Sequence, residues 1–314
     1  MSKIKDMKKV LIATDKPFAS KAVKAIREVV ENAGYQLVLL EKYTSQDQLI
    51  EAVADVDAII IRSDIADKAV LDAAKNLKII VRAGAGYDNI DLTAATANGI
   101  VAMNTPGQNS NAVAELAIGM MIYMARNKFD GKSGTELREK SLGIHAFGNV
   151  GKLIGSIAKG IGMEVFAFDP FVKKEDIIAA GVVPVDTVNE LYKNCQYISL
   201  NIPATAQTKK SIGYELLSTM PENAVLVNTA RKEVVDEEGL LKMFEARPDF
   251  KYISDIAPDC LAEIESKYPG RYFFTPKKMG AQTAEANINA GIAAAKQIVA
   301  YFENGDITYQ VNKK

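Results

Sequence analysis

A chain of 314 residues has room for two domains of ordinary size, and its balance of 38 basic against 39 acidic side chains argues against a nucleic-acid surface. No apolar run is long enough to span a bilayer and the N-terminus lacks the core of a signal peptide, so a soluble, cytoplasmic protein is expected. Two distant cysteines, Cys195 and Cys260, fit a reducing compartment, and the single histidine, His145, excludes a histidine-based metal cluster or a Ser-His-Asp triad; no metal is expected.

From Lys8 onward, short apolar runs alternate with stretches of helical spacing. Strands are predicted at Val10 to Thr14, Gln36 to Leu40, Ala58 to Ile61, Lys78 to Val81 and Ile100 to Met103. Helices are predicted at Ser20 to Ala33, Gln46 to Val53 and Lys68 to Ala74, with a short one from Asp91. This alternation reads as an open parallel sheet of flavodoxin type. Asn104 to Gly107 breaks the pattern. The segment from Asn111 to Arg126 is apolar on nearly every face, so it must be buried inside a domain or against a second subunit. Lys128 to Lys140, polar and with two glycines, reads as a connector.

The next unit dominates the chain. Leu142 to Ala146 reads as a strand, Phe147 to Gly151 as a tight turn opening a helix, and Met163 to Asp169 as a second strand that ends in an acid. Such a unit presents backbone N–H groups to a pyrophosphate at a helix N-terminus, and a carboxylate to ribose hydroxyls. In the G-x-G-x-x-G pattern, Ala146 takes the first position and Gly148 and Gly151 the second and third, which predicts a slightly altered turn. Phe147, Gly148, Asn149, Val150 and Gly151 are the expected pyrophosphate contacts. Asp169, followed by Pro170 and Phe171 with no arginine, favours NAD over NADP because a carboxylate repels a 2′-phosphate. His145, in the first strand, is expected to be a core residue.

Strands then follow at Val182 to Val185, Tyr197 to Asn201, Ala224 to Asn228, Tyr252 to Asp255 and Tyr272 to Thr275, before a long alanine-rich helix, Thr283 to Asn304. That last helix is long enough to return to the first domain. The expected division is 1–104 with 284–314 as a substrate-binding domain and 105–283 as an NAD-binding domain. The fold class expected is α/β, with two doubly wound parallel sheets, one flavodoxin-like and one of Rossmann type. The strand ends are polar: Arg62 and Ser63; Arg82 to Asn89; Asn104; Asn201 to Pro203; Asn228 to Arg231; Asp255; Lys277 and Lys278. Cations gathered at strand ends of a nearly neutral protein point to a small anion.

Val81 to Asp91, Asn104 to Gly107, Ala112 to Glu115, Ala146 to Asp169, Val227 to Asp236 and Gly280 to Ala286 occur in an order that resembles the D-2-hydroxyacid dehydrogenases, and among them the short D-3-phosphoglycerate dehydrogenases. The resemblance implies NAD as cofactor, a small 2-hydroxy acid as substrate, no nucleic-acid or membrane partner, and a homodimer through the helix after Asn111. It implies that Arg231 clamps the substrate carboxylate and polarises the carbonyl oxygen. Arg62, Ser63, Arg82, Gly84, Ala85, Gly86 and Asn104 fall where substrate contacts are expected. Asn201, Pro203, Thr208, Thr229, Ala230, Asp255 and Gly280 fall at cofactor positions, Asp255 beside the nicotinamide carboxamide.

Two positions depart from the family pattern. Lys278 stands where the general acid–base histidine belongs, and the orienting glutamate falls on Cys260, with Asp259 beside it as the nearest carboxylate. A lysine near Lys277 and Arg231 has two reasons for a depressed pKa, desolvation and like charge, so Lys278 is expected to act as the base without a charge partner. The activity implied is oxidation of D-3-phosphoglycerate to 3-phosphohydroxypyruvate, the entry to serine synthesis, with no room beyond the last helix for a regulatory module. A hydroxypyruvate, glyoxylate or D-lactate-type reductase, a degraded relative and a non-catalytic NAD-sensing protein are the alternatives.

Overall fold

The computed structural model describes residues 7–312. Its elements, in chain order, begin with β1 (Lys9–Thr14), α1 (Ser20–Asn32), β2 (Gln36–Glu41), α2 (Gln46–Ala52), β3 (Ala58–Ile61), α3 (Lys68–Ala73), β4 (Ile79–Arg82), α4 (Leu92–Ala97) and β5 (Val101–Asn104). Then come α5 (Ser110–Ala125), β6 (Ser141–His145), α6 (Asn149–Gly160), β7 (Glu164–Phe168), α7 (Lys174–Ala179), β8 (Val183–Pro184), α8 (Val188–Asn194), β9 (Tyr197–Leu200) and α9 (Tyr214–Leu217). The chain closes with β10 (Val225–Asn228), α10 (Glu237–Ala246), β11 (Lys251–Ser254), α11 (Leu261–Lys267), β12 (Tyr272–Phe274) and α12 (Ala284–Asn304). Two compact units result: the chain up to Asn109 together with the chain from Gln282, and Ser110–Ala281.

In the first unit five parallel strands run in the order β2-β1-β3-β4-β5, the flavodoxin arrangement. β3 is apolar and buried at every position, as a strand covered on both faces must be. Ala22, Ile26 and Val30 form one buried stripe of α1 and meet Ala290, Ala294 and Ile298 of α12 in a shared core. Gly291 permits that approach, since a Cβ there would sit 2.7 Å from Ile26 Cδ1. Thr283 caps the start of α12 by accepting from Ala286 N–H, and Gly305 ends it in the left-handed region at φ +68°.

The second unit is a seven-stranded parallel sheet ordered β12-β11-β10-β9-β6-β7-β8. Its order reverses between β6 and β9, which opens the crevice that doubly wound sheets use for ligands at the carboxyl ends of their strands. One face is covered by a core that includes Met121, Met124 and Ile154, the other by Leu191, Tyr192, Leu240 and Phe244. Ten of the sixteen residues of α5 are buried, and seven of them, Ala114, Ala117, Ile118, Met120, Met121, Met124 and Ala125, join the core of this unit. Asn111, Glu115, Gly119 and Ile122 are the exposed residues of the helix. Among the described residues, no helix is long and apolar enough to cross a membrane.

Candidate active site

The carboxyl edge of the second sheet sets the candidate residues out in strand order. Lys278 follows β12, Asp255 follows β11, Thr229 to Arg231 follow β10, Asn201 follows β9, the Ala146 turn follows β6 and Asp169 follows β7. With neighbouring strands about 4.8 Å apart, β7 and β11 lie about 19 Å from each other along this edge. An extended ligand laid across it meets Asp169 at one end and the charged group around Arg231 at the other.

At the β6 end, Ala146 adopts φ +78°, the left-handed conformation that a glycine would hold there. A residue with a Cβ holds that conformation at a cost of about 1–2 kcal/mol. Gly151 must lack a side chain, because a Cβ would stand 2.4 Å from Ala146 O. No side chain caps α6 at Gly148, so its first N–H groups stay open to an anion, as pyrophosphate binding requires. The Asp169 carboxylate is held in place by N–H donors of Phe147 and Phe171, each at 2.8 Å, with lone pairs left for ribose hydroxyls. Further along the edge, Asn201 Oδ1, Thr229 Oγ1 and Asp255 Oδ1 are buried without a hydrogen-bond partner. Unmet polar atoms cost stability unless a ligand meets them. Open helix N–H groups, a fixed carboxylate and buried oxygens without hydrogen-bond partners along one edge fit a dinucleotide.

At the other end, two cations converge on one main-chain oxygen. Lys278 Nζ donates to Ala230 O at 2.7 Å and Arg231 Nη1 donates to the same oxygen at 3.0 Å. Asp255 Oδ1 lies 3.5 Å from Lys278 Nζ, an ion pair too long for a good hydrogen bond, and Asp255 Oδ2 accepts from Gly280 N–H at 2.9 Å. The carboxylate of Asp255 is fully buried, whereas 41% of the Lys278 side chain is exposed. Burial lowers the pKa of Lys278 below the ordinary lysine value, Asp255 opposes that shift, and Arg231 adds to it. The depressed lysine expected from the sequence is thus present, with a difference. A charge partner accompanies it, and that partner is Asp255, the residue the resemblance assigned to the carboxamide.

The Asp259 carboxylate turns to Lys232 Nζ at 2.5 Å and 77% of its side chain is exposed, so it is not brought to Lys278. Cys260 donates its backbone N–H to Glu237 Oε2, and burial followed by the charge of Glu237 pushes its thiol up to about 12. The Thr208 hydroxyl is occupied within its own loop, donating to Pro203 O. His145 is buried with Nδ1 3.3 Å from Tyr192 Oη, and burial lowers its pKa to about 4 despite the charge of Asp169, as a core histidine should behave. Two supports carried no assigned role in the sequence reading, Asn228 and Thr275. Asn228 receives Ala230 N–H and donates to Arg231 O, fixing the loop that carries the arginine. The Thr275 hydroxyl bonds Asp255 O at 2.9 Å and Lys277 O at 2.7 Å. Both stand at strand ends, a position that signals polarity but not which group is being held.

The first unit places its candidates differently. Arg62 donates Nη1 to Lys16 O and Pro17 O and Nη2 to Asn287 Oδ1, with its guanidinium 5.0 Å from the Phe18 ring centre. Arg82 donates Nε to Arg62 O, and its guanidinium occupies the space a Cβ of Gly84 would need. Asn104 donates to Ala85 O and thereby holds the Gly84 to Gly86 loop. Ser63 is exposed.

Residues 10–312 match the family of the D-isomer specific 2-hydroxyacid dehydrogenase, catalytic domain. A D-3-phosphoglycerate dehydrogenase of Methanocaldococcus jannaschii is 36% identical over 93% of this chain and 57% of its own length. A hydroxypyruvate reductase of Thermotoga maritima is 35% identical over 84% of this chain and 90% of its own. The chain thus spans about half the length of several phosphoglycerate dehydrogenases it matches. Among solved structures, an NAD+-bound 3-phosphoglycerate dehydrogenase of Entamoeba histolytica is 48% identical, with a TM-score of 0.87 over 98% of this chain and 99% of the other.

Proposed function

The chain belongs to the D-isomer specific 2-hydroxyacid dehydrogenases, and from that premise we propose that it oxidises D-3-phosphoglycerate to 3-phosphohydroxypyruvate with NAD, the first step towards serine. The observation that carries the reading is the convergence of Arg231 and Lys278 on the Ala230 carbonyl beside buried Asp255. Bound NAD supplies the acceptor for the hydride leaving C2. Neutral Lys278 takes the proton of the C2 hydroxyl. Arg231 leaves the Ala230 oxygen to hold the substrate carboxylate and the developing carbonyl oxygen. Asp255 keeps the Lys278 ammonium positioned between turnovers, the part that the glutamate at the position of Cys260 would otherwise play. Asp169 selects NAD by repelling a 2′-phosphate.

In the first unit the backbone of Gly84, Ala85 and Gly86, held by Asn104, is the proposed carboxylate contact. Arg82 is the residue proposed for the phosphate, and Arg62 donates to Lys16 O, Pro17 O and Asn287 Oδ1. The exposed ridge of α5 around Gly119 and Ile122 is the surface proposed for a homodimer.

A second reading, reduction of hydroxypyruvate, is favoured by the match to nearly the whole length of the Thermotoga enzyme. Following NADH in both directions across 2-hydroxy and 2-keto acids, with and without a phosphate, separates the two. Preference for the phosphorylated pair supports phosphoglycerate, and preference for the unphosphorylated pair transfers the proposal to the reductase. Tight NAD binding with no turnover of any acid would instead identify an NAD-sensing protein.

A further inference from the structure

The amino edge of the second sheet, opposite the candidate active site, carries a recess of about 180 Å³. Its wall is built where the strands begin: Lys140 precedes β6, Gln196 and Tyr197 open β9, Asn223 precedes β10 and Lys251 opens β11. Thr135 and the end of α5 close it. Thr135 is fixed there because its N–H donates to Ala125 O at 2.8 Å, and neighbouring Gly134 lies so close to that oxygen that a Cβ would be 2.3 Å away.

The charge of this recess is one-sided. Lys140 and Lys251 both line it, both are partly buried, and no carboxylate is among the lining residues. Among the described residues, neither ammonium makes a hydrogen bond or ion pair, and the Thr135 and Tyr197 hydroxyls make none either. The acids nearest in sequence are engaged elsewhere: Asp249 receives both Arg247 Nε and Nη2 and the N–H of Asn223, and Glu139, beside Lys140, pairs with Arg138. Burial lowers the pKa of Lys251, and no opposite charge restores it. Lysines on a protein surface usually swing into water or pair with an acid. Two that wall the same recess, with the Thr135 and Tyr197 hydroxyls beside them, offer a set of donors to oxygen acceptors carrying negative charge.

We propose that this recess is a binding site for a phosphate group, held between the Lys140 and Lys251 ammoniums and separate from the dinucleotide site. A volume of about 180 Å³ holds a tetrahedral oxyanion with some water, or a small phosphate ester, each water taking about 30 Å³. It does not hold a dinucleotide. Two charge-assisted hydrogen bonds of ordinary net strength correspond to half-saturation near ~1 mM.

The test is thermal unfolding of the whole protein at fixed ionic strength, titrated with inorganic phosphate, with glycerol 3-phosphate and with chloride as control. Wild type should gain stability with phosphate, half-maximally near ~1 mM. Lys251→Met and Lys140→Met should each weaken that response about tenfold or more, whereas Lys251→Arg should keep it. Binding of NAD, followed by titration, should be unchanged in all three. Lys251→Met removes a partly buried charge without a partner, so its melting temperature without phosphate should not fall; should it misfold, Lys140→Met carries the same test. A stronger response to glycerol 3-phosphate than to phosphate would identify an ester as the ligand, and the reverse the free ion. Equal responses in wild type and both methionine variants would overturn the site by placing the anion elsewhere, and so would no response of wild type beyond that to chloride.

Discussion

The two sheets share a doubly wound plan and polar strand ends, but they tie those polar residues to different partners. In the first unit, Arg62 is locked to Lys16, Pro17 and Asn287, Arg82 to the Arg62 carbonyl, and Asn104 to Ala85. In the second, Asn201 Oδ1 and Thr229 Oγ1 stay buried without a hydrogen-bond partner, Asp255 Oδ1 faces Lys278 at ion-pair distance, and α6 begins without a cap. The first edge braces its arginines, although Glu41 Oε1 and Thr105 Oγ1 also stay buried there without a hydrogen-bond partner; the second adds a glycine turn that opens a helix and a carboxylate fixed by two N–H donors. A polar residue at a strand end therefore does not announce a ligand. The bonds it already makes decide between a brace and a contact.

The most severe way to break this contrast is at Lys278. Lys278→Ala should lower kcat by about 10²–10⁴-fold while leaving NAD affinity nearly unchanged, because the pyrophosphate and ribose contacts lie several strands away. Steady-state kinetics beside a cofactor titration checks it. Near-normal turnover would remove Lys278 from the chemistry. The ascending limb of the kcat/KM profile should lie below the ordinary lysine value, and Asp255→Asn should move it lower still, since Asp255 is the main influence raising that pKa.

His145 tests the closed core beneath the open edge. Its folded pKa, about 4, lies below the unfolded value near 6.5. The unfolded chain therefore binds the proton first as pH falls. Stability should be full above pH 6.5 and decline by at most about 3 kcal/mol on going down to pH 4. Denaturant unfolding across that window should show this slope in wild type and lose most of it in His145→Asn; an unchanged slope would assign it to other groups.

Arg62 sharpens the contrast from the braced side. Arg62→Ala should cost about 2–3 kcal/mol of stability, for three internal hydrogen bonds and a ring contact. KM for phosphorylated and unphosphorylated acids should shift alike. A rise confined to the phosphorylated substrate would make Arg62 a ligand contact after all.

The smallest effect belongs to Ala146. Ala146→Gly relieves a left-handed conformation and should stabilise the protein by about 1 kcal/mol at most, since the unfolded chain gains freedom as well. A melting temperature that falls would mean that the methyl group packs better than its backbone suffers.

Much of this architecture was legible in the chain, because hydrophobic period and turn residues act locally. Ala58 to Ile61, buried throughout, could be nothing but a covered strand, and the Ala146 to Asp169 unit announced its turn by the spacing of Gly148, Gly151 and Asp169. The direction of side chains was not legible. Asp259 was the nearest acid in sequence to the missing glutamate, yet it faces Lys232, while Asp255 reaches Lys278 because Thr275 and Gly280 fold the loop after β12 back onto it. Nor could the sequence show that Arg62 is braced, because its acceptors are contributed by residues as distant as Asn287.

The oxygen on which Lys278 and Arg231 meet belongs to the main chain of Ala230. A carbonyl has no side-chain identity, so it passes unchanged through any substitution that leaves the backbone path intact, and Asn228 fixes that path through the Ala230 N–H. Position 230 can therefore drift among small residues while its neighbours across the edge remain tethered. The genetic vulnerability of this corner falls instead on Asn228, a residue two places away that touches neither cation's charged end.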